Sequence, residues 1–303
     1  MSLSVSTPPA TAARVTPLRK FARAFASSRL ALAGLVLLAT IVLLAVFASW
    51  VSPQNPYDLT QLDILDGGLP PGSSAATGMT YWLGTDTQGR DMLSAILYGL
   101  RISLFVGLTS AVIAAALGAI LGLFAAYAGG RVEATIMRLV DLQLSFPTIL
   151  IALMILAFLG KGIANVVLAL VIVEWATYAR TARASALIES RKEYIEAATA
   201  MGASSTRILF RHLLPNCLTP LLVIGTVQVA RAIALEATLS FLGLGVPVTE
   251  PSLGMLIANG YQYMLSGKFW ISFYPGVALL LTVVAINMVG DHLRDVLNPR
   301  SER

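Results

Sequence analysis

The residues in this chain most able to do chemistry are three charged side chains set inside apolar stretches: Glu174, Arg231 and Glu236. A charge near the centre of a membrane helix costs about 2.5–3.5 kcal/mol on insertion scales, so each needs a partner or a task. The task is either mutual pairing within a helical bundle or a proton relay. Arg231 and Glu236 lie five residues apart, off the i,i+4 register, so on one helix they face different neighbours. Other candidates are weaker. Asp86 and Asp91 flank Arg90, which makes a poor site for a hard cation. His212 and His292 fall at the ends of apolar runs, as interface residues rather than a ligand pair. The single cysteine, Cys217, excludes an intrachain disulfide and any multi-cysteine metal site. There is no Gly-x4-Gly-Lys-Ser/Thr run, so the chain has no P-loop of its own. No catalytic constellation is present, and neither enzymatic activity nor a bound cofactor or metal is expected.

The elements that carry these residues are membrane spans. Of 303 residues 56% are hydrophobic and only 12% charged, with a mean hydropathy of +0.77; a soluble domain carries about 25% charged residues. The basic residues form no aromatic-interleaved stripe, so nucleic acid is not an expected partner. Residues 1–29 read as a basic cytoplasmic tail, with Phe21 and Phe25 suiting a short helix on the membrane surface. Residues 30–51 are long enough to span a bilayer and end near Trp50. Residues 52–100 are a polar loop rich in Pro, Gly and Ser. The core is 101–291, with five further spans, and 292–303 form a tail. Gly118 and Gly122 put small residues on one face of the second span, for close helix packing. Asp141 is one turn from Arg138 and within pairing reach, and Pro147 kinks the third span. The fold class is therefore all-α, with six transmembrane helices.

Between the fourth and fifth spans lies a polar island, EYIEAATAMGASSTRILFRHLLPN, from Glu193 to Asn216, within a loop covering 182–215. Leu187, Ile188, Tyr194, Ile195, Ala198 and Met201 recur at helical spacing. Gly202 can adopt positive φ past the end of that helix, Ser204 can cap a second short one, and Pro215 suits the first turn of the next span. A helix–glycine turn–helix unit projecting into water is shaped to dock into another protein.

Glu196-Ala197-Ala198, Gly202 and Leu214-Pro215 resemble, at matching spacing, the EAA loop of permease subunits in binding-protein-dependent ABC importers, with His212 where that family has Ile. LGTDTQGRD at 83–91, FLGLG at 241–245 and GDHLRDVLNP at 290–299 resemble further motifs of the dipeptide, oligopeptide and nickel branch. At Pro251-Ser252-Leu253-Gly254 the chain departs from the family's Pro-Glu-Trp-Gly. The resemblance implies a type I importer permease forming half of a path for di- or oligopeptides or a related small solute. It implies a homologous second permease, two ABC ATPases that hold the ATP and Mg, and a periplasmic substrate-binding protein as partners. The coupling loop would present Tyr194, Glu196, Ala197, Ala198, Gly202, Leu214 and Pro215 to an ATPase. The alternative is an ion-coupled carrier using Glu174, Arg231 and Glu236, although no internal repeat of the kind common in carriers is evident.

Sixteen of the 21 Lys and Arg fall on the side of the termini and the island if six spans are drawn, and four on the other. Positive residues favour the cytoplasm, so a multi-pass bacterial inner-membrane protein with both ends inside is expected. Reporter fusions after Gln61 and after Thr206 should give opposite sides; the same side from both would refute the span count.

Overall fold

The computed structural model describes residues 23–75, 78–247 and 249–297. Arg14, Arg19, Lys20 and Phe21, together with Asn298 and Pro299 of the tail motif, lie outside the described residues. Helix α1 (Arg29–Val46) starts at Ser28, whose side chain accepts the Ala31 N–H, and a further turn covers Ala48–Val51. The polar segment that follows includes a two-stranded ribbon, β1 (Ser73–Ser74) against β2 (Thr80–Tyr81), antiparallel with Ser73 opposite Tyr81. This segment ends earlier than residue 100. Asp91 accepts from Ser94 N (2.8 Å) and Ser94 Oγ (2.6 Å), and this cap starts α2 (Met92–Ala128). Asp86 is likewise spent on backbone, taking the N–H groups of Gln88 and Arg90 at 2.8 and 2.9 Å. Burial raises the Asp86 pKa, against the pull of those two bonds and of Arg90. Both acids organise a turn.

Then come α3 (Gly130–Ser145) and α4 (Thr148–Leu159), α5 (Ile163–Glu189), α6 (Glu193–Ala200), α7 (Ser205–Phe241), α8 (Leu253–Tyr261) and α9 (Trp270–Leu297). Helices α1, α2, α5, α7 and α9 are each long and apolar enough to cross a membrane, and α3 with α4 make a sixth span if the bent pair counts as one. The bend is 92°, far more than a kink. Ser145 ends α3, and Pro147 lacks the N–H that would continue the ladder. Asp141 does not pair with Arg138. It makes an ion pair with Arg180, and Glu133 pairs with Arg183, because α3 lies along α5 and presents its acids to that helix.

Close packing centres on α2 against α5. A Cβ on Gly118 would overlap the Trp175 carbonyl and sit 2.8 Å from Ala179 N, and one on Gly122 would overlap the Ala179 carbonyl. The two backbones can touch only because these positions lack side chains. One core joins Ile102 and Val106 of α2, Ala152 and Leu156 of α4, Leu170 and Val173 of α5, and Ala232 and Leu239 of α7. The divergent Pro251-Ser252-Leu253-Gly254 still has a defined role: Ser252 caps α8 through Met255 N at 3.2 Å, and Gly254 lies against the Ala237 backbone. Overpacking a helix contact costs about 1–3 kcal/mol. Gly122→Val should therefore lower the melting temperature of the purified protein by several degrees, and an unchanged value would mean that α2 and α5 do not meet there.

Candidate functional site

The island is built onto the spans rather than hung from them. Helix α5 runs on to Glu189, well into the stretch expected to be loop. Tyr194 Oη donates to Glu189 Oε1 at 2.5 Å, Asn216 Nδ2 donates to Tyr194 Oη at 3.0 Å, and Lys192 Nζ pairs with Glu189 Oε2 at 2.8 Å. One phenol thus joins the end of α5 to the start of the apolar part of α7. Burial and the bond to Glu189 push the Tyr194 pKa up to about 12, so the hydroxyl stays a donor throughout the physiological range. Ile195 and Tyr178 share a core with Ala182, Ile208, Leu213 and Cys217.

Gly202 ends α6 at φ +77°, with nothing near the place where a Cβ would project. Ser204 caps the next helix through Arg207 N at 3.4 Å. That helix is not a short separate one. Residues 205–241 form a single helix of 37 residues, whose Ile208–Leu213 segment is wound as π-helix before Pro215. Proline in a first turn suits a new helix, but here the wider π turn absorbs the missing donor and the chain runs straight through. Ala198 is also not on the outer surface. It is 5% exposed, since it stands one turn from the buried Ile195. Glu196 and Ala197 remain outside, next to the exposed Met201 and Gly202; Tyr194 is partly exposed, Leu214 half-buried and Pro215 exposed.

The intramembrane charges separate into three cases. Glu236 is fully buried and satisfied, with Ser103 Oγ donating at 2.9 Å and Ser240 Oγ at 2.7 Å, so it ties α7 to α2. Glu174 sits well inside α5, 2% exposed, and its two oxygens have no hydrogen-bond partner. Arg231 is exposed and donates to Thr148 Oγ1 at 3.1 Å. Ser240 stands at the i+4 position from Glu236 and is legible in sequence, whereas only the fold brings Ser103 to it. Among the described residues no group of three or more His, Cys, Asp or Glu is arranged to hold a metal.

A bundle of long apolar helices with one clamped helix–turn–helix element is the architecture of an importer permease. Its fold matches the inward-facing MetNI methionine ABC transporter with a TM-score of 0.56 at 22% identity, over 68% of this chain and 98% of that one. The chain belongs to the family of binding-protein-dependent transport system inner membrane components, which matches residues 118–303, and residues 16–71 match the N-terminal TM domain of oligopeptide transport permease C. The di/tripeptide transport system permease protein DppC of Pseudomonas aeruginosa is 40% identical over 285 residues, 94% of this chain and 93% of that protein. The dipeptide transport system permease protein DppC of Escherichia coli K12 is also 40% identical, over 94% of each chain. The chain is thus a multi-pass inner-membrane subunit of an ABC importer, and the ion-coupled carrier reading falls away.

A hydrogen bond to a charged group contributes about 1.5–3 kcal/mol, and less where water reaches it as it does at Tyr194. Tyr194→Phe should therefore speed hydrogen exchange across residues 190–203 severalfold and leave the spans protected. Unchanged exchange there would show that the phenol does not hold the island.

Proposed function

We propose that this subunit forms half of the path for di- or oligopeptides and receives the ATPase stroke through residues 193–215. The observation that carries the mechanical part is the shared core: Ile195 of the island is packed with Tyr178 of α5 and Cys217 of α7, so a push on α6 acts on two spans directly. Glu196 and Ala197 are the exposed part of α6, the carboxylate able to accept a charge-assisted hydrogen bond and the alanine small enough to admit a groove wall. The peptide cargo is supported by the names of the relatives. A homologous permease, two ATPases holding ATP and Mg, and an extracytoplasmic binding protein complete the assembly, and the basic-residue asymmetry supports cytoplasmic termini. ATP-driven closure of the ATPases then shifts the bundle between two packings.

Gly202→Val places a β-branched residue at φ +77°, strained by about 1 kcal/mol or more, and turns α6 relative to α7. Glu196→Lys reverses the exposed charge. Neither touches a span, so both variants should insert and assemble normally but lose most peptide uptake in proteoliposomes, while the ATPases still hydrolyse ATP. Wild-type uptake by both would remove the island from the coupling role.

A further inference from the structure

Arg231 is a charge within a spanning helix that makes no ion pair among the described residues. Arg231 lies on the exposed side of α7, and among the described residues no carboxylate is within ion-pairing distance of it. Glu236 is engaged by serines; Glu174 is near enough for Arg231 to act on it through space, but it is buried in the packed face of α5 and makes no hydrogen bond or ion pair with the guanidinium. A guanidinium carries five N–H donors in a planar fork, and a single threonine hydroxyl leaves most of them open. Arg231 stands ten residues, about 15 Å, before the end of α7 at Phe241, which puts it at membrane depth. A charge there faces protein or a water-filled cavity rather than lipid.

The surroundings favour the cavity. Val227, Arg231, Ala234 and Thr238 form the exposed stripe of α7 at this level. Apart from the guanidinium its side chains are short, one of them a hydroxyl, in contrast with the Leu32, Leu35, Val36 and Leu43 that α1 exposes. Opposite Arg231, α4 begins at Thr148 directly after the 92° turn, and Pro147 gives it no side-chain cap. The positive end of a broken helix therefore meets the guanidinium inside the membrane. A planar cationic fork, a hydroxyl and an uncapped helix start are jointly complementary to a carboxylate, and broken helices in transporters present such ends to anionic solute groups.

The geometry points to Arg231 and Thr148 as a specificity-determining station on the translocation path that takes the terminal carboxylate of the imported peptide. This inference rests on the peptide reading above. Thr148 holds the guanidinium in place, and Arg231 makes the contact with the solute. An amide in place of the carboxylate would offer the fork one neutral acceptor instead of two charged ones.

The test uses the complete importer in proteoliposomes, with a dipeptide and its C-terminal amide each at concentrations that saturate the binding protein. The wild type should import the free acid in preference. R231Q should reduce that acid-to-amide preference about tenfold, the worth of one charge-assisted hydrogen bond. R231K, which keeps the charge but loses the fork, should retain part of the preference. T148V should reduce it partway and serves as the test should R231Q fail to assemble. A preference unchanged in both R231Q and T148V overturns the inference. So does an equal loss for acid and amide, which would assign Arg231 to an acidic side chain of the neighbouring permease. Wild type importing both solutes equally overturns the inference alone; wild type importing neither removes the peptide reading, and the inference with it.

Discussion

The bundle depends on the contact between α2 and α5, where Gly118 and Gly122 let two backbones touch. In lipid there is no hydrophobic drive for one helix to join another, so close packing and polar contacts must supply the association. Everything on the island side follows from that contact. Helix α5 is held rigidly enough to carry Glu189 beyond the apolar zone, and Glu189 is the acceptor that fixes Tyr194. Tyr127 Oη, at the far end of α2, donates to Ser205 Oγ at 2.9 Å and fixes the start of α7 as well. Two glycines in the bundle thus determine where a loop at its surface stands.

The spans, the glycine turn and the Ser204 cap were legible because each is a local rule: apolar length, φ freedom, or a hydroxyl three residues before an N–H. What was illegible depended on partners distant in the chain. Asp141 has Arg138 one turn away, yet it takes Arg180, 39 residues on, because α3 lies along α5. Ala198 reads as part of a docking face until the burial of Ile195 fixes which side of α6 is turned inward. The continuity of α7 was hidden by Pro215, since a π turn can accommodate a proline that the 3.6-residue period would treat as a boundary. The 92° bend could be sited at Pro147 from sequence, but its size depends on how α3 and α4 pack.

Glu236 and Arg231 show two ways for a spanning helix to carry a charge. Glu236 is surrounded by hydroxyls from α2 and from its own helix, and the cost of its burial is offset inside the protein. It behaves as a joint between α7 and α2. Arg231 is left facing outward with most of its donors open. Five residues separate them, and that spacing is what allows one helix to present a joint on one side and an unfilled polar surface on another.

The unbroken α7 has a consequence for how motion spreads. Thirty-seven residues make a rod about 55 Å long, against about 30 Å of hydrocarbon. Ser205 and Arg231 belong to this one rod, about 39 Å apart, with no loop between them to absorb a displacement. A tilt of about 5° about the Ser205 end would carry the other end roughly 5 Å sideways. Slack can enter only where the hydrogen-bond ladder is altered, at Ile208–Leu213 and at Pro220. Leverage in this subunit is therefore set by the stiffness of two short places, both in the half of the rod nearer the island.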